Sequence, residues 1–289
     1  MEKMVLECPF LSESNERNKG LPHLDGGQQK VTYSNYLQLD SLLSNQTPLS
    51  DKHDEMLFIV IHQTMELWFK LLLHELAEAS NHIESSKLNV ALKVFSRIHK
   101  IQLHLLHSWE VLTTLTPLDF LSFRDHLGTA SGAQSFQYRY LEFVLGSRNQ
   151  DACREYESDR ESHARLLQIL NTPSMYDVCL KLLADRGFAI PGEIINRDFS
   201  LPHEYSEEVE SVWMLIYAKN EEYWDLYHLA ERLFELDNQF QNWRFTHLRI
   251  VERMLGTKTG SGGSHGVAFL SKSIDKCFFP ELWTLRSKL

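Results

Sequence analysis

The chain has little of what would make it a cross-linked scaffold, a fibre or a nucleic-acid binder. Only four cysteines occur in 289 residues, Cys8, Cys153, Cys179 and Cys277, and no two form a Cys-x-x-Cys pair. That excludes, at the level of motif, a cysteine zinc site, an iron–sulfur cluster and covalent attachment of a c-type haem. Glycine (13) and proline (8) are too scarce for a collagenous or low-complexity chain. Positive charge is short as well: 29 Lys and Arg against 39 Asp and Glu leave a net −10. With no basic block to offset this, neither a nucleic-acid surface nor a polybasic membrane anchor is expected. The apolar stretch Leu57–Ile61 is far too short to span a bilayer. Met1–Gly20 is polar and patternless, unlike a basic-then-apolar leader, so a reduced cytoplasmic setting is expected. In that setting the Asn45-Gln46-Thr47 sequon is inert.

What is present is apolar and aromatic: 43% and 11% of residues, enough for a sizeable core. Residues 1–30 carry Gly20, Pro22, Gly26 and Gly27 without periodicity and read as a mobile or partner-docked arm. Residues 31–289 read as one all-α domain, a bundle of long helices. From Asp54 to Glu78, Leu57, Phe58, Ile61, Met65, Trp68, Leu72 and Leu76 recur at helical spacing, with Ser50 as the expected cap. A second helix over 88–115 carries Leu92, Phe95, Ile98, Leu105, Trp109 and Leu112 on one stripe, and Thr116-Pro117 restarts the chain. Shorter helices are expected over 118–127 and 134–145, the latter stopped by Gly146. Thr172-Pro173 is expected to open another, which Gly187 closes. A loop near 198–203 precedes helical patterning from Glu204 to Leu255, with room for a kink, ended by Gly256. Period-2 runs of β-branched residues are missing, so strands are not expected.

Most motif matches fail a test of context. Gly262-Gly263-Ser264-His265-Gly266 spells a nucleophile elbow, which needs a strand before the serine, and this chain has no sheet. Gly-x-Gly-x-x-Gly fails because His265 holds the third glycine position. No Glu-x-x-His occurs, so a di-iron bundle is excluded. Consecutive glycines still let backbone amides approach a ligand closely, though a simple helix connector has the same composition. Among fourteen histidines, His62 and His247 lie in apolar–aromatic stretches where an unpaired imidazole is costly. Each could be satisfied by a backbone carbonyl, ligate a haem or bond a substrate, and composition does not choose.

Several ordered blocks together resemble the tryptophan 2,3-dioxygenase family of haem enzymes, from about Tyr33 to the C-terminus. They are Tyr33-Ser34-Asn35-Tyr36-Leu37, His53–Phe58 running through His62–Trp68, Phe120–Asp125, Ser131–Ser135, Gln137–Tyr140, Trp243–His247 and the glycine loop. The resemblance implies haem b held by His247 as its one protein ligand to iron. It implies His62 as the distal residue meeting the indole N–H, and Phe58 and Phe120 as walls of the indole slot. Arg124 would clamp the substrate carboxylate and Ser261 hold the ammonium. Trp109 and Ser131 would border the haem, and Tyr33, Tyr36 and Leu37 would close a neighbouring subunit's pocket in a homotetramer. The implied reaction inserts both atoms of O₂ across the indole C2–C3 bond of L-tryptophan, giving N-formyl-L-kynurenine. Two departures stand out: Ser261 where the family has threonine, and Ala133 where it usually has phenylalanine. A pocket widened there would suit a β-substituted or otherwise modified tryptophan, and a relative forming a 2-oxindole from it by one-oxygen transfer is the alternative enzyme reading. A non-catalytic helical haem- or ligand-binding protein is the alternative of another class.

Overall fold

The computed structural model describes residues 31–256, 258, 266–274 and 276–289, and among these every regular element is helical. The 1–30 arm and most of the glycine loop, with Ser261, lie outside the described residues. Two short helices, α1 (Tyr33–Leu37) and α2 (Leu39–Leu43), come first, and neither buries a residue. The frame is built from three long helices: α3 (His53–Glu84), α4 (Leu88–Leu112) and α11 (Trp224–Leu255). Between α4 and α11 run α5 (Pro117–Phe123), α6 (Phe136–Leu145), α7 (Arg160–Leu170), α8 (Met175–Asp185), α9 (Gly192–Ile195) and α10 (Glu207–Ala218). Two more, α12 (Gly266–Ile274) and α13 (Pro280–Thr284), follow α11.

The expected apolar stripes of α3 and α4 face each other. Leu72, Leu76, Ala79 and Ile83 of α3 pack with Ala91, Phe95, Ile98 and Leu105 of α4, all at most 2% exposed. Polar ties fix the register: Arg97 donates to Glu75 across the pair at 2.7 Å, and the buried Gln102 amide donates to the Leu236 carbonyl of α11 at 2.9 Å. α3 is the one described helix long and apolar enough to cross a membrane by length and composition. Its later half supplies most of its core residues, with Ile61 and Met65 from the first half, while Met56, Val60 and Leu67 form an exposed apolar row at helical spacing.

Several expected boundaries moved, each for a local reason. Ser50 does not cap α3; its amide and that of Leu49 instead donate to the buried Glu55 carboxylate at 2.7 Å each. Thr172-Pro173 precedes a helix that Ser174 caps in a reciprocal box with Asp177. α7, capped by Asp159, was not anticipated, and the kink allowed for in the 204–255 helix is a full break at 219–223 that divides it into α10 and α11. Thr116 and Asp119 do form the expected box at α5, with Pro117 as the first helical residue. Gly146, Gly187 and Gly256 take positive φ at or just past the helix ends. Cys153, Cys179 and Cys277 are free thiols.

The tail folds back onto α11. Asp237, fully buried, accepts from the amides of Phe278 and Phe279 and from the Trp283 indole N–H at 2.7, 3.2 and 2.9 Å. This fastens α13 to the helix that also carries His247.

Candidate functional site

A cavity of about 500 Å³ lies between α3, α4, α11 and the segment from Ser131 to Arg139. Its size falls within the roughly 300–1,000 Å³ typical of cofactor and ligand pockets. Of the residues singled out in the sequence, it brings together Phe58, His62, Trp109, Phe120, Ser131 and His247. Arg124, half-buried at the end of α5, does not line it, and neither do Tyr33, Tyr36 and Leu37.

One wall is aromatic because α3 and α5 each turn phenylalanines inward. The Phe58 ring lies 5.8 Å from both Phe120 and Phe123, and the latter two meet edge-on at 5.5 Å. His62, one turn after Phe58, packs on that ring at 4.1 Å. Its Nδ1 lies 2.7 Å from the Phe58 carbonyl oxygen. A carbonyl only accepts, so Nδ1 carries the hydrogen and Nε2 is left as an acceptor. Burial lowers the His62 pKa, against the opposing pull of that bond and of Glu66, and keeps the ring neutral.

On α11, His247 stacks flat on Trp109, with centroids 4.7 Å apart and planes 7° from parallel, and Trp243 flanks it at 5.6 Å. Burial, helped by repulsion from a charge on His62, lowers its pKa to about 4. His247 is therefore a neutral imidazole with a lone pair to give, and no hydrogen bond engages its ring among the described residues. The indole N–H groups of Trp109 and Trp243 are buried without partners.

Polar residues that sequence reading missed hold the helix of His247 in place. Arg244, one turn before His247 and 3% exposed, donates to Glu142 at 3.2 Å, to the Tyr138 hydroxyl at 3.2 Å and to the Lys276 carbonyl at 3.1 Å. Its guanidinium also sits over Phe278 at 4.8 Å. A signal existed, since Asp237 and Arg244 fall on the same helical stripe as Leu233 and Phe240, where an unpaired charge is not tolerated. Arg139, bonded to Glu142, keeps a buried Nε–H with no partner, and Lys272 and Lys276 also line the cavity.

The family model for tryptophan 2,3-dioxygenase matches residues 17–183 and 172–289, nearly the whole chain. The chain belongs to the tryptophan 2,3-dioxygenase family. A relative of that name from Bacillus thuringiensis subsp. konkukian is 50% identical over 262 residues, covering 91% of this chain and 94% of its own. One from Geobacillus thermodenitrificans is 47% identical over 274 residues, covering 95% and 97%. One from Pseudomonas aeruginosa is 46% identical over 259 residues, covering 90% of each. The family match starts at residue 17, upstream of the Tyr33 boundary drawn from the motifs. The donor set suits the haem that the resemblance to the tryptophan 2,3-dioxygenase family implies. It offers one neutral imidazole, flat aromatic walls, and cations of which Arg139 has an unsatisfied donor.

Proposed function

We propose that this chain is a haem-dependent dioxygenase of tryptophan catabolism. It inserts both atoms of O₂ across the C2–C3 bond of L-tryptophan and releases N-formyl-L-kynurenine at the head of the kynurenine route. The observation that carries the reading is the pair of buried, neutral histidines that α3 and α11 bring into the lining of one aromatic cavity. Haem b on His247, when bound, supplies activation of O₂. Trp109 orients the His247 ring by stacking, and Ser131 borders the same space.

The protein's own residues bind, orient and exclude water. His62 Nε2 accepts the indole N–H, which requires the neutral tautomer that Nδ1 donation selects. Phe58 and Phe120 hold the ring flat and dry. Arg124 takes the substrate carboxylate as a two-pronged donor, which lysine does not reproduce. Ser261 holds the ammonium. The role of Arg124 requires substrate to extend past the walls that enclose the indole, toward the end of α5.

We place the enzyme in the cytoplasm as a homotetramer in which Tyr33, Tyr36 and Leu37 close a neighbour's pocket. Tyr33 and Tyr36 are 77% and 75% exposed within the single chain, which supports burial against another copy. The exposed row of Met56, Val60 and Leu67 supports the same assembly.

Product mass tests the reaction. Haem-loaded protein is reduced without oxygen, then given L-tryptophan and O₂. A product heavier by both oxygen atoms, about 32 mass units, supports the dioxygenase, and a gain of one atom, about 16, marks the oxindole-forming alternative. Ala133, which lines the cavity, is the observation that keeps that alternative in the test. Unchanged tryptophan with full haem loading would identify a binding protein instead.

A further inference from the structure

Leu127 and Phe136 pack against the core, but between them residues 128–135 bury no side chain, although Ser131, Gly132, Ala133 and Ser135 line the cavity. That stretch has no hydrophobic anchor of its own of the kind that normally fixes a binding wall to within a fraction of an ångström. Its own bonds are local: Ser131 accepts from the Ala133 amide at 3.3 Å, and Gln134 accepts from the Ser131 amide at 3.2 Å. These shape the turn without tying it to the bundle.

The tie comes from Glu66, one turn after His62 on α3 and in the same cavity lining. One carboxylate oxygen accepts the Ser135 hydroxyl at 2.6 Å and the other accepts the Gln137 amide at 2.8 Å. The same Gln137 nitrogen donates to the Glu66 backbone carbonyl, also at 2.8 Å. Ser135 meanwhile accepts from the Tyr138 amide at 3.1 Å, capping α6. Its single hydrogen and its lone pair are thus both committed, which fixes where the wall ends and α6 begins. We propose that Glu66 is a positioning residue for substrate, clamping the 131–137 wall through Ser135 and Gln137 to the helix that presents His62.

This deepens the proposed dioxygenase reading and rests on it. Both carboxylate oxygens are engaged, so Glu66 holds the wall rather than moving a proton. Its charge is not what the indole needs, because it favours the charged form of a histidine that must stay neutral. Position and charge therefore make opposite forecasts for Glu66→Gln. The new amide oxygen still accepts from Ser135, and Gln137, whose Oε1 is buried without a partner, can flip to accept the new N–H.

The test uses the haem-loaded protein for KM, kcat and haem content, and deuterium uptake over 131–138 for the clamp itself. Glu66→Ala is expected to raise KM for L-tryptophan about 10- to 100-fold with haem retained and uptake accelerated, since misplacement of about 1 Å costs up to that much. Glu66→Gln should stay within about threefold of the parent. Ser135→Ala should show a smaller effect, and the double Glu66→Ala/Ser135→Ala variant should be no worse than Glu66→Ala. Parent-like KM and uptake in Glu66→Ala, equal impairment in Glu66→Gln, or additive losses in the double variant would each overturn the clamp. If the parent turns over no tryptophan, the dioxygenase reading falls, and uptake over 131–138 in Glu66→Ala and Ser135→Ala still decides the clamp.

Discussion

Replacing His247 by leucine should make the haem-free protein more resistant to acid. Burial moves the His247 pKa from its ordinary 6.5 to about 4. Between those values the unfolded chain binds a proton that the folded chain refuses, so stability falls as the pH drops through that window. At about 1.4 kcal/mol for each tenfold change in proton affinity, full development below pH 4 costs about 3 kcal/mol. Going only from pH 7 to pH 4.5, the same linkage gives about 2.5 kcal/mol. His62 also has a lowered pKa and contributes in the same direction, but it is present in both proteins. Urea unfolding of parent and His247→Leu at both pH values isolates the term. The parent should lose about 2.5 kcal/mol more than the variant over that interval. Equal losses would mean that His247 is not held neutral by its surroundings, and the case for a free lone pair there would collapse. The same variant should fail to retain haem, which absorbance in the Soret region checks.

His62→Ala should leave haem bound while lowering turnover about 100-fold or more, as expected where an oriented polar partner for the substrate is lost; loss of haem instead would mean the two faces are reversed. Arg124→Lys should raise KM for L-tryptophan about tenfold at unchanged haem content, because an ammonium cannot form the two-pronged bond; unchanged saturation contradicts the clamp. Arg244→Met should destabilise the protein by about 1–3 kcal/mol, since one Glu142 oxygen and the Lys276 carbonyl lose their buried donor while Arg139 still pairs the other Glu142 oxygen. A loss under about 1 kcal/mol in a urea melt would show that the network is not what holds the helix of His247.

The parts legible in the sequence were those that repeat or punctuate. Leu72 and Leu76 on one helix and Phe95, Ile98 and Leu105 on the next betray their shared face through spacing alone. Thr116-Pro117 and the glycines at 146, 187 and 256 mark ends because their backbone chemistry admits few alternatives. The break at 219–223 had no such mark. Lys219-Asn220-Glu221-Glu222-Tyr223 contains neither glycine nor proline, and only the packing of α10 and α11 decides that the chain turns there. The site divided in the same way. His62 and His247 stood out by being polar in apolar surroundings, and both line the cavity. The partners of Glu66 lie 69 and 71 residues away, and Arg244 reaches Glu142 over 102 residues. Pairings at that separation are set by tertiary contact, and one sequence carries no trace of them.

The flat stack of Trp109 on His247, with Trp243 close by, gives the protein a built-in optical gauge. Of its six tryptophans, these two emit from the walls of the cavity itself. A porphyrin bound in that cavity would take up their excitation by energy transfer more efficiently than that of indoles farther away. In substrate-free solution, cofactor uptake can therefore be followed by the dimming of the chain's own ultraviolet fluorescence, with no dye attached.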